Sequence, residues 1–300
     1  MDENGSAGEQ SPRSREEGSP ERELTEGPPI TVDSWDEAPE ADTPEEYARE
    51  VAALAAEDPV AAGDRVGDLL DIARDHEGAR DDVREALDVV GWRRPEEFEV
   101  WADSLAEAAG SPDDGLATIG MAALADLAAT TPRAAAKGID AALGRLAARS
   151  AELRRAALSV VAEVGPEDPD AVAGADRGVA AAIEDPDPAV RQAGVVAAGR
   201  LLASTPGTFP RTANALLGAL DDDATVREYA LVAAANFART NPANVPEKRR
   251  VMAALAAADD DELGLRRGAT DEAVSELLAV ETGVDLPLGQ TTSGPRGEGS

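Results

Sequence analysis

Asp185-Pro186-Asp187-Pro188-Ala189-Val190-Arg191-Gln192-Ala193 is echoed by Asp221-Asp222-Asp223-Ala224-Thr225-Val226-Arg227-Glu228-Tyr229-Ala230, with Val190 and Val226 36 positions apart. In each copy acids precede an apolar residue and an arginine at the same offset. Working outward from this pair, Pro59, Pro95, Pro132, Pro169, Pro206 and Pro242 follow one another at 36, 37, 37, 37 and 36 residues. Most of them come after a cap or turn residue (Asp58, Thr131, Asp168, Thr205, Asn241), and a cap followed by Pro at the first helical position starts a helix. Helix starts at so constant an interval predict a repeating helix pair.

The other helix of each pair is found 16 residues before each proline, at Thr43, Ala79, Leu116, Leu153, Val190 and Val226, with a seventh copy at Leu265. From each anchor, residues four, seven, eight, eleven and twelve further on share one helical face. That face is apolar in Val190, Gly194, Ala197, Ala198, Leu201 and Leu202, and again in Val226, Ala230, Ala233, Ala234, Phe237 and Ala238. Ala79, Leu116 and Leu153 head equivalent faces, with small residues mid-face that permit close helix approach. The end copies carry Glu50, Glu272 and Glu276 at face positions, as terminal repeats with a polar outer side require. The expected fold is all-α, a right-handed α-solenoid of about six and a half helical hairpins over residues 43 to 283. Residues 1–42, with thirteen acids against Arg13, Arg15 and Arg22, and residues 284–300 are expected to be disordered tails.

The Asp-then-Val-Arg segments resemble HEAT repeats, an armadillo-like helical family, and the resemblance covers roughly residues 79 to 280. It implies a structural ladder of Arg80, Arg154, Arg191, Arg227 and Arg266, with departures at Pro44 and Ala117. Each arginine would reach acids of a neighbouring turn, such as Asp187, Asp223 or Asp261, and cover exposed carbonyls. A row of arginines for an anionic ligand is the rival reading, and repeat stacking alone already accounts for the spacing.

The formal charge is −32, and lysine occurs only at Lys137 and Lys248. Such an acidic, lysine-poor surface repels itself at low salt and is screened by concentrated salt, a halophile-type composition that reports habitat before partner. The absence of cysteine excludes disulfides and thiolate chemistry. No apolar run reaches the length of a membrane span and the Met-Asp-Glu-Asn-Gly start has no signal character, so a monomeric cytoplasmic protein is expected.

His76, in Arg74-Asp75-His76-Glu77-Gly78, reads as a helix end. With one histidine there is no basis for a Ser-His-Asp arrangement or the common zinc sites. Some HEAT-like proteins are lyases or metal-dependent hydroxylases, the latter with several His-Glu pairs, which this sequence lacks. Neither an enzyme, a metal nor a cofactor is expected.

Two binding readings remain. In the first, the concave face formed by the second helices holds a protein or peptide, with Trp92, Arg93 and Arg94 as an exposed anchor beside a buried Phe98, Trp101 and Leu105. In the second, Arg133, Lys137, Arg177, Arg211, Lys248, Arg249 and Arg250, near the starts of the second helices, hold nucleic-acid phosphates. Pairing of these cations with abundant surface acids is the plainer account, and the total charge disfavours a polyanion. Trp35, in Ile30-Thr31-Val32-Asp33-Ser34-Trp35, is either a docking motif or a strap over the first repeat.

Overall fold

A residue before proline is pushed out of the α region, so the X-Pro steps at the repeat period fall between helices. The computed structural model describes residues 41–283, and the expected tails and Trp35 lie outside the described residues. Among the described residues, thirteen helices carry the architecture. They are α1 (Pro44–Glu57), α2 (Val66–Asp75), α3 (Arg80–Arg93), α4 (Ala102–Gly110), α5 (Asp114–Thr130), α6 (Ile139–Arg145) and α7 (Ala151–Val164). They continue with α8 (Asp176–Ile183), α9 (Pro188–Ser204), α10 (Pro210–Ala219), α11 (Ala224–Thr240), α12 (Lys248–Ala256) and α13 (Ala269–Thr282). Odd numbers are the first helices and even numbers the second, giving six pairs and a seventh first helix, the half repeat that the period requires.

The prolines act differently from the expectation. Arg94, Thr131, Thr205 and Asn241 each close the preceding first helix, the backbone N–H of Thr131, for example, donating to Leu127 O at 2.7 Å. Holding that C-cap geometry, none of the four places its side chain over the next helix start. Only Asp58 caps a helix that begins with a repeat proline, accepting from Ala61 N at 3.1 Å. Each proline except Pro169, which lies in a turn, opens a short helical segment: Pro59–Gly63, Pro95–Trp101, Pro132–Ala135, Pro206–Thr208 and Pro242–Asn244. The second helix starts only after it, so the repeat is a long helix, a short turn and a second helix.

The first helices have the caps that the hairpin reading gave to the second. Thr43, Asp113, Ser150, Asp187 and Asp223 each accept a backbone N–H in the first turn of their helix. The faces read from the anchors at Ala79, Leu116, Leu153, Val190 and Val226 are buried at every position. In α13 the buried set is Ala269, Thr270, Ala273 and Leu277, while Leu265 and Arg266 precede the helix.

Each first helix stacks on the previous one, and it also crosses the C-terminal end of the preceding second helix. At two of these crossings no side chain fits. A Cβ added to Gly120 on α5 would press on the backbone of Ala108 and Ala109 of α4, and one on Gly194 of α9 on Ala182 and Ile183 of α8.

Arginines bridge the same junctions. Arg80 donates to both carboxylate oxygens of Asp113, at 3.0 and 3.1 Å, and to the carbonyl of Ala73. Arg154 reaches Asp185 at 2.8 Å and the carbonyls of Ala148 and Arg149. Arg191 grips Asp222 with two nitrogens, Asp223 with one, and the carbonyl of Asp185. The Asp187 partner expected from sequence caps α9 instead. Where Ala117 leaves the rung empty, Arg145 of α6 supplies it through Asp114 and the Ser111 carbonyl.

Two expected rungs do not form. Arg227 is exposed and has no ion pair among the described residues, and Arg266, ahead of α13, turns inward to Glu272 of the same repeat. Beside it Asp261 meets Arg267 at 3.9 Å.

Arg191→Lys is expected to keep the charge but lose the fork, lowering Tm by about 3 °C, whereas Arg227→Lys leaves it unchanged. Gly120→Val should cost about 2–3 kcal/mol by overpacking, read from urea unfolding. A Gly120→Val protein as stable as the parent would show that the helices can part at this crossing.

Candidate functional site

The second helices present their exposed side in rows. Glu107, Gly144, Ala181 and Gly218 recur at intervals of 37 and are all exposed. Nothing lies within 4 Å of a Cβ built on Gly144 or Gly218, so this face has a low, smooth floor across α6, α8 and α10. Sequence reading missed the row, although applying the same period to the second helices finds it.

The basic residues of these helices are placed one by one, and most are already engaged. Lys137 donates to Asp103 at 2.7 Å, Arg133 lies 3.8 Å from Glu167, and Arg249 meets Glu281 at 2.5 Å. Arg250 is held by Asp221 at 2.6 Å, by Glu247 and by the Leu217 carbonyl. The Lys248 ammonium donates to the carbonyls of Ala243 and Val245. Arg211 is 3.9 Å from Asp176, a buried carboxylate that also takes the backbone N–H and hydroxyl of Thr212. Arg177 alone of the set is exposed with no ion pair among the described residues. The helices therefore do not turn these cations into one outward row; all but Arg177 lie beside an acid or a carbonyl of their own surroundings.

The aromatic cluster divides as its spacing implies. Phe98 and Leu105 are buried, and Trp101 is half-buried with its indole N–H donating to Gly63 O at 2.9 Å. Trp92, at the C-terminal end of α3, is 81% exposed. The Arg93 guanidinium stands 5.7 Å from its ring centroid, and Arg94 turns away to Glu96 and Glu97. Trp92 borders an open hollow of about 490 Å³ along α3, lined also by Asp81, Arg84, Glu85, Asp88 and Val89.

Behind the hollow, Gly91 makes room for Asp126 of α5, whose carboxylate would collide with any Cβ there. Burial, aided by the charge of Asp88, pushes Asp126 up to about 6. Asp88 is itself raised, by burial first and then by Glu152 and Glu85, with Arg84 acting against them. His76 closes α2 as its C-cap, the helix end expected of it. Among the described residues there is no group of three or more His, Cys, Asp or Glu placed to hold a metal ion, and no helix long and apolar enough to cross a membrane.

A carboxyl raised in the folded state favours folding while protonated and loses that contribution as pH rises through its folded value. Asp126→Asn is therefore expected to raise Tm by about 2–4 °C at pH 8 and to leave it unchanged at pH 4. Equal shifts at both pH values would mean that packing, not ionisation, sets the difference.

No family model matches the chain, and no curated protein matches it in sequence. Solved structures do resemble it. A designed armadillo repeat protein superposes with a TM-score of 0.58 at 18% identity, covering 72% of this chain and 99% of that one. A designed armadillo repeat protein in complex with the peptide (KR)4 gives 0.56 at 18% identity, covering 72% and 98%. An engineered protein gives 0.51 at 16% identity, covering 78% and 97%. By its backbone, this chain has the fold of the armadillo/HEAT-like helical-repeat solenoids.

Proposed function

We propose that the protein is a non-enzymatic scaffold that holds a polypeptide partner along the face of its second helices. The observation that carries this reading is the exposed row Gly144, Ala181 and Gly218, in line with Glu107, a floor of small residues on which another backbone can lie close. Such a floor contributes little to the fold, because Gly144 and Gly218 touch nothing with the position where a Cβ would be. Rigid stacking of the repeats supports the row at fixed spacing, which lowers the ordering cost of binding. A similar backbone holding a peptide, as in the designed armadillo protein with (KR)4, supports the same use of the solenoid.

The nucleic-acid reading is weaker on the same geometry. Phosphate binding would have to break the pairs at Lys137, Arg249 and Arg250 and would face a formal charge of −32. The acidic, lysine-poor surface supports work in concentrated salt, where screening removes self-repulsion, and a cytoplasmic monomer fits this use.

Gly144→Trp and Gly218→Trp test the reading without cutting into the core. Both variants should fold at least as well as the parent, since glycine in a helix costs about 1 kcal/mol relative to alanine. Capture from the source-cell extract at high salt, after nuclease, is expected to retain defined protein partners with the parent and to lose them with both variants. Partners that vanish with nuclease, or that bind both variants as well as the parent, would remove the proposal.

A further inference from the structure

The geometry points to a second binding place, on the outer side of the first helices: the hollow beside Trp92 takes a cationic side chain of a lysine- or arginine-bearing polypeptide. It lies on α3, apart from the floor of the second helices, and does not depend on that floor being used.

The indole is the starting point. Of the large apolar residues that remain exposed among the described residues, Trp92 is the most exposed, at 81%, while Tyr47, Phe98, Phe209 and Phe237 are buried. Nothing in the fold needs it there. One ring already stands within reach of a guanidinium, that of Arg93 at 5.7 Å, which shows the ring oriented for cation–π contact. With so little of the indole covered, room remains for a second cation.

The walls select the same chemistry. Asp81, Glu85 and Asp88 line the hollow with Val89 and Trp92. Its one basic residue, Arg84, is already paired: its guanidinium lies 2.9 Å from Glu152 on α7 and 3.8 Å from Asp88 of the hollow itself. Arg84 thus reaches from α3 to α7, and Asp81 and Glu85 line the hollow with no ion pair among the described residues. Asp126, behind Gly91, adds a further carboxylate with no ion pair among the described residues. Burial raises both Asp88 and Asp126, with Glu152 and Glu85 adding to it at Asp88 against Arg84, and Asp88 adding to it at Asp126, so an incoming cation would relieve an existing electrostatic cost there. An anionic or purely apolar partner would instead desolvate these carboxylates without compensation. Lysine and arginine bring both the charge and an aliphatic stem for Val89 and the indole edge.

The measurement is calorimetric titration of an octapeptide of alternating lysine and arginine into the full chain, at 0.1 M and 1 M salt. The parent is compared with Trp92→Ala, Trp92→Phe, Asp88→Asn, Gly144→Trp and Glu228→Gln, the last an exposed acid on α11 far along the chain. Expected are a Kd about tenfold higher for Trp92→Ala, a smaller rise for Trp92→Phe, and a rise of about threefold for Asp88→Asn. The Trp92 effect should persist at 1 M salt, because the ring contact is screened less than exposed charge pairs are. Glu228→Gln should bind as the parent does, while Gly144→Trp shows how much of the peptide's affinity comes from the second helices. Loss of binding in Gly144→Trp with Trp92→Ala unaffected would place the peptide on the second helices and overturn the inference while sparing the proposed function. No measurable binding, or equal binding by every variant, would overturn it as well. So would a parent dimer in sedimentation that Trp92→Ala converts to monomer and the peptide does not compete for, since a second copy would then fill the hollow.

Discussion

Everything else in this solenoid depends on how closely a first helix approaches the end of the second helix before it. At Gly120 and Gly194 the approach leaves no room for a Cβ, so main chain meets main chain across the repeat junction. Helices packed this closely have little space between them, and Ala, Val and Leu fill it. An aromatic content of 3% is a consequence of that spacing. The three buried phenylalanines, Phe98, Phe209 and Phe237, lie at the short proline turns or near the end of a first helix, where the layers part.

Close contact brings charged turns together, and the arginines answer that. Asp113, Asp185, Asp222 and Asp223 would crowd the inter-repeat turns with negative charge, and the backbone N–H of Leu116 together with Arg80 holds Asp113 below its usual carboxylate range. Asp222 is lowered in the same way, by the Asp223 N–H first and by Arg191. Their contribution to stability is present at neutral pH and fades on acidification below the ordinary carboxylate value, the opposite sense to Asp126. A guanidinium can serve an acid and two carbonyls at once where an ammonium serves a point, which suits the near absence of lysine. The rung moves when it must: Arg145 comes from a second helix to stand in for the missing arginine at Ala117.

The first helices were legible in the sequence because one face of each is buried along its whole length, and a 3.6-residue period over four turns is hard to imitate. The second helices were less so. They are short, their starts are displaced by the proline turns, and α10 and α12 begin at different offsets from their prolines. The cap residues misled for a specific reason: Thr131, Thr205 and Asn241 sit at a boundary that is both an end and a start, and the backbone there follows the end. Arg266 misled because the last loop is longer and Asp260, which accepts from Gly268 N and Thr270 N, sets the start of α13 four residues after the expected anchor. Of the candidate sites, Trp92 could be singled out because a tryptophan beside two arginines at a helix end had no place in the apolar face. The engagement of Lys137, Arg249 and Arg250 could not be foreseen, since it depends on which acids the stacking brings within reach.

A stacked repeat separates what holds it together from what it can offer to others. Apart from the Arg84–Glu152 pair, which reaches over one repeat, the interactions described join neighbouring repeats, so stability is close to a sum of local junction contributions. The junctions are occupied by Gly120, Gly194 and the arginine rungs, all within or against the layer between helices. Trp92 and the row through Gly144 and Gly218 lie outside that layer, where a side chain can change without disturbing a junction. An 81%-exposed indole is consequently not explained by folding, and neither is a floor of glycines that lowers helix propensity without touching a neighbour. The two faces of this solenoid each carry one such feature, and the proposed contacts with another molecule rest on these and not on the junctions.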